Sequence, residues 1–103
     1  MQTIRGRVAA VKWAYFTAAA VEGYTVTHAP AVGWSVAGTL VPGAVDAYKL
    51  AQRPLFFVAP FKRGAWRWEI QTLTRRDGGR FVAQLGPVSI EGEHGITRPT
   101  AGS

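Results

Sequence analysis

The chain has 103 residues and no cysteine, which predicts one domain and excludes disulfides, a thiol nucleophile and cysteine-ligated metals. Hydrophobic residues make up 48% and charged residues 17%, a balance that excludes a wholly disordered chain and implies an ordered core. The net charge of +6 rests on twelve cations, nine of them Arg, whose planar fork suits phosphate and carboxylate; the charge is read either as a basic surface that keeps the protein soluble or as attraction to a polyanion.

That charge is uneven. Residues 1–20 carry Arg5, Arg7 and Lys12 with no acid, and residues 62–80 set Lys62, Arg63, Arg67, Arg75, Arg76 and Arg80 against Glu69 and Asp77. A cysteine-free chain is compatible with a reducing cytoplasm, where the protein is expected to reside.

Residues 3–13 fit a strand, with Ile4, Gly6, Val8 and Ala10 on one face and Arg5, Arg7, Ala9 and Val11 on the other. Arg5 and Arg7 ahead of the apolar residues 8–21 have the outline of a signal peptide. Lys12 interrupts that run, which also falls short of the roughly 20 apolar residues of a membrane span, so it reads as part of the fold and no membrane partner is expected. Residues 15–22 admit two helical turns closed by Gly23, but the β-branched alternation of residues 24–28 favours a strand that begins near Ala19 after an approach turn at 14–17.

Pro30 and Gly33 mark a turn, and residues 34–41 alternate Trp34, Val36, Gly38 and Leu40 against Ser35, Ala37, Thr39 and Val41 as a third strand. Pro42 and Gly43 end it. Residues 44–52 then predict the one helix, with Val45, Tyr48 and Ala51 at three-residue spacing, Leu50 broadening the stripe, Asp46 in the first turn and Pro54 as the stop.

The organising stretch is residues 54–85, which holds two of the four Trp and four of the five Phe. Its first strand is apolar on both faces, Leu55, Phe57, Ala59 and Phe61 opposite Phe56, Val58 and Pro60, and must be covered on both sides by its own fold or by another subunit. After Lys62, Arg63 and Gly64, a second strand alternates Trp66, Trp68 and Ile70 with Arg67, Glu69 and Gln71. Asp77, Gly78 and Gly79 signal a hairpin, because turns that match strand twist need positive φ, and Phe81, Ala83 and Leu85 return along a third strand. Residues 1–86 thus form the domain. Residues 87–103 are a Gly, Pro, Ser and Thr-rich tail, loosely ordered apart from one short strand at 88–90.

These elements predict a mainly β (α+β) fold: a small five- to six-stranded antiparallel barrel or sheet with one short helix after the third strand. That element order is OB-like. In such a barrel Tyr24, Val26, Trp34, Val36, Trp66 and Trp68 point inward, and the outer faces of the second and third strands show Thr25, Thr27, Ser35, Ala37 and Thr39, none of which stacks on a base.

Catalytic machinery is thin. His28 ends a strand; Glu91, Glu93 and His94 lie in the tail with no standard metal-ligand spacing; Ser35, Ser89 and Ser103 lie in no nucleophile elbow; and six scattered carboxylates give no paired acid and base. No phosphate-cradling Gly motif precedes a helix. The sequence therefore predicts a protein that is not an enzyme and takes no metal or cofactor.

Two functional readings follow. The first is a protein-interaction or structural module that binds a protein partner or itself, with Phe56 and Val58 as the candidate surface. The second is a nucleic-acid-binding barrel that grips the phosphate backbone through an electrostatic rim of Lys62, Arg63, Arg75, Arg76 and Arg80. The discriminating feature is the strand at 55–61: wholly buried it favours the second reading, exposed on one face the first.

Overall fold

The computed structural model describes residues 2–61, 63–91 and 97–99. Its strands are β1 Gln2–Trp13, β2 Phe16–Ala29, β3 Gly33–Val45, β4 Leu55–Phe61, β5 Gly64–Arg75, β6 Arg80–Glu91 and β7 Thr97–Pro99, with a short helix α1 Ala47–Leu50 between β3 and β4. The hydrogen-bonded order is β3-β2-β1-β4-β5-β6, and pairing of β3 with β6 closes these six strands into an antiparallel barrel, while β7 is added to β6 outside the ring. Closure removes the free edges that a six-stranded sheet would otherwise expose. The expected antiparallel barrel with one short helix after the third strand is the fold observed.

Residues 8–21 are divided between β1 and β2 around the turn at Ala14 and Tyr15, so the apolar run builds a hairpin. Bending that hairpin into a barrel requires irregularities, and β2 carries register shifts against β3 between Ala19 and Val21 and between Val21 and Tyr24. Gly23, with φ of 77°, stands in the second of these. Inward alternation inverts across it, from Ala19 and Val21 to Tyr24 and Val26. On β1 the same bend turns the inward set from Ile4 and Gly6 to Ala9 and Val11, so Val8, which strict alternation would place with Ile4 and Gly6, is 68% exposed.

The helix is shorter than the periodicity of residues 44–52 suggests. Val45 pairs with Ala19 as the last residue of β3, and the Asp46 backbone N–H donates to Ala18 O at 2.7 Å, so the sheet claims the residues of the expected first turn. Asp46 then caps a single turn, accepting from the Lys49 backbone N–H at 3.1 Å. Of the expected stripe only Leu50 is buried beneath the turn, while Tyr48 leans outward.

Alternation in β4 and β5 directs Leu55, Phe57 and Trp68 fully inside. Phe57 is the hub, with ring centroids 5.3 Å from Tyr24, 5.9 Å from Trp68 and 6.4 Å from Phe81. Trp34 lies 5.6 Å from Trp68, and its own face carries His28 at 4.6 Å, which accounts for that histidine by packing. Each large apolar side chain buried this way contributes about 1.5–3 kcal/mol. Trp68 Nε1 is buried with no hydrogen-bond partner among the described residues.

Residues 80–91 form one uninterrupted strand, so the short strand expected at 88–90 is the second half of β6, and Val88 belongs to the core opposite Trp68. Among the described residues no helix is long and apolar enough to cross a membrane.

Candidate functional site

In the closed ring β3 and β4 lie across the barrel from one another, so their outer faces point in opposite directions. The two faces differ in chemistry.

On the β4 side, cross-strand register sets Ala10 beside Val58 and Val58 beside Arg67, Lys12 beside Phe56 and Phe56 beside Glu69, and Pro60 beside Ala65. Phe56 and Val58 are half-buried and Pro60 is exposed, whereas Leu55, Phe57 and Ala59 on the inner face are fully buried. The Arg67 guanidinium carbon lies 4.0 Å from the Phe56 ring centroid, so a cation roofs the aromatic face. Next to them Val8, Ala10, Thr17, Val58, Pro60 and Ala65 line an open groove of about 310 Å³.

This apolar surface continues past Lys12 to an aromatic corner that the sequence reading did not single out. Lys12 pairs with Thr17, and Phe16 beside it is 55% exposed, with Tyr15 at 92% and Tyr48 at 71%. Trp13 lies 6.1 Å from Phe16 and 6.5 Å from Tyr48, and Lys49 Nζ sits 5.3 Å over the Phe16 ring while its ammonium is 3.5 Å from Asp46. The available signal was three aromatics in four residues, Trp13, Tyr15 and Phe16, flanking a turn. Tyr48 joins them only through the docking of α1.

On the β3 side the outer register rows read Thr25, Ala37, Val82, Thr74 and Thr27, Ser35, Gln84, Thr72 across β2, β3, β6 and β5. They line an open groove of about 330 Å³. Arg5 on β1 pairs with Thr25 at one border. At another, Arg80 pairs with Thr39, and Arg76 and Arg80 line an adjoining concavity with it.

The expected cationic rim is therefore divided. Arg75, Arg76 and Arg80 converge at the β5–β6 turn, where Gly78 and Gly79 have the positive φ the hairpin requires and Arg80 Nε donates to Asp77 O at 3.3 Å. Arg75 pairs with the buried Phe81 and so stands on the inward register, unlike Arg76 and Arg80. Arg63 lies just before the first residue of β5, at the far end of that twelve-residue strand. Lys62 lies outside the described residues, as do residues 92–96 with Glu93 and His94.

The titratable groups that shift belong to the scaffold. Burial raises the Tyr24 phenol above its usual value, and the Lys49 backbone N–H holds the Asp46 carboxyl below the usual carboxylate range. Ser89 Oγ donates to Arg67 O at 3.3 Å, and Ser35 lines the hydroxyl-rich groove. Comparison with protein-family models, with curated proteins and with solved structures returns no match.

Proposed function

We propose that the protein is a non-catalytic interaction module that self-associates through the outer face of β4 with the adjoining parts of β1 and β5. One observation carries this reading: β4 is apolar on both faces, and its inner face is fully buried while its outer face is covered only in part, with Phe56 half-buried under Arg67, Val58 half-buried and Pro60 exposed, in line with Val8, Ala10 and Ala65. The charges around the patch are self-complementary. Lys12 and Glu22 border it on the β1–β2 side, Glu69 and Arg67 on the β5 side. A two-fold axis along the β1–β4 seam brings Lys12 beside Glu69 of a second copy and Arg67 beside its Glu22, the arrangement an isologous contact requires. The cytoplasmic location expected from the sequence belongs to the same proposal.

Light scattering behind a sizing column tests it on the intact chain. The expected result is a dimer whose mass falls on dilution, and a soluble, folded monomer for Phe56→Glu or Val58→Glu. Both positions face outward, so the barrel tolerates the carboxylate. A monomeric mass at every concentration, or variants that dimerise like the parent, would sink the reading.

A further inference from the structure

We infer that the outer face of β2, β3, β5 and β6 binds the phosphate backbone of nucleic acid without reading its sequence. The groove presents six side chains able to donate hydrogen bonds, Thr25, Thr27, Ser35, Thr72, Thr74 and Gln84, in two register rows. Neighbours in a row stand about 4.8 Å apart and the rows about 7 Å, so Thr27, Ser35, Gln84 and Thr72 make one continuous row of donors, while in the other row Thr25 and Thr74 stand at the two ends with Ala37 and Val82 between them. Exposed cations flank the groove: Arg5 on the β1 side, and Arg76 and Arg80 toward the β5–β6 turn. Among the described residues no carboxylate lines either concavity.

The kind of ligand follows from what lines the face. Hydroxyl and amide donors framed by Arg match phosphate and sugar oxygens, the groups that position a protein on nucleic acid without reporting base identity. Among the described residues that line it the groove has no aromatic side chain, so they offer bases and sugar rings nothing to stack on. The core of a protein interface instead calls for large apolar anchors and is depleted in Ser, and those anchors lie on the other side of this barrel. Three phosphate contacts, one each for Arg5, Arg76 and Arg80, give a log-affinity slope against log salt of about −2.7 on duplex and −2.1 on single strands.

The test is fluorescence anisotropy of the intact protein with a short mixed-sequence single strand, a short duplex and phosphatidylserine vesicles, across about 50 to 200 mM salt. The parent protein is expected to bind nucleic acid with the slope above and to bind vesicles at least about tenfold more weakly, a separation of 1.4 kcal/mol. Losing both contacts in Arg76→Ala/Arg80→Ala should flatten the slope by about 1.4 on single strands and 1.8 on duplex. Arg63→Ala removes a charge far from the groove and should leave the slope unchanged. Ala37→Glu puts a carboxylate at an exposed position in the middle of the array and should abolish binding with the fold intact. Val58→Glu lies across the barrel and should not alter it. No binding at low salt, equal slope changes for Arg63→Ala and the double variant, an unaffected Ala37→Glu, or vesicles bound as tightly as nucleic acid would each overturn the inference.

Discussion

The Tyr24 ring lies over the backbone of its cross-strand partner Gly6, so close that a Cβ at Gly6 would overlap the ring, with Tyr24 Cε1 at 2.8 Å. An alanine in place of a strand glycine ordinarily stabilises by about 0.5–1 kcal/mol. Here overlap wins, because the ring has to shift to make room and it is packed edge-on against Phe57, with centroids 5.3 Å apart. Gly6→Ala is expected to destabilise by about 1–3 kcal/mol in urea unfolding. Combined with Tyr24→Leu, the total cost should fall short of the sum of the two single costs by more than about 1 kcal/mol, since the smaller side chain frees the space. Additive costs would show that the two residues are not coupled.

The same tyrosine sets a pH dependence. Burial raises its folded-state pKa above the unfolded value near 10, so the folded protein holds the phenolic proton more tightly than the unfolded chain. Its contribution is whole below that unfolded value and is lost as pH rises through the folded one. Urea midpoints measured from about pH 9 to 12 should therefore decline less steeply in Tyr24→Phe than in the parent protein. Parallel declines would remove Tyr24 from the account.

At the β1–β2 turn Ala14 adopts φ of 54°, a left-handed conformation that disfavours a side chain by about 1–2 kcal/mol. Glycine relieves that cost but adds about 0.5–1 kcal/mol of unfolded-state freedom. Ala14→Gly should raise stability by up to about 1 kcal/mol by thermal melting, the reverse of what glycine does within the strands of a hairpin.

The two-fold contact makes a charge prediction. Lys12→Glu and Glu69→Lys should each weaken dimerisation about two- to thirtyfold, because every symmetric dimer contains the pair twice and an exposed pair is worth about 0.2–1 kcal/mol. The double reversal should restore most of the affinity, and added salt should compress all the differences. A double variant as weak as the product of the singles would exclude this orientation of the two copies while leaving assembly through Phe56 and Val58 intact.

Alternation alone sets Trp34, Trp66 and Trp68 inward; Trp34 and Trp68 are buried in the core and Trp66 packs partly buried against it. Asp77, Gly78 and Gly79 marked a turn that two positive φ angles fulfil. The exposure of Val8 could not be read the same way, because the inversion depends on a bend shared by two strands and not on local alternation. Nor could the length of the helix, since Val45 and Asp46 are held by backbone bonds to β2, more than twenty residues earlier.

Residue order alone settled which side chains are apolar, where strands alternate and where the chain turns, because these depend on neighbours a few positions apart. It set Phe56 and Val58 together on one face of a strand that is apolar on both sides. Only the closed barrel decided what stands beside them: it joined Val8 and Ala10 to that face, set Arg76 and Arg80 against the hydroxyl rows, and sent Arg63 to the far end of β5. The reason is that cross-strand register and ring closure are long-range pairings, fixed by packing around Phe57 and Trp68 and not by any segment on its own.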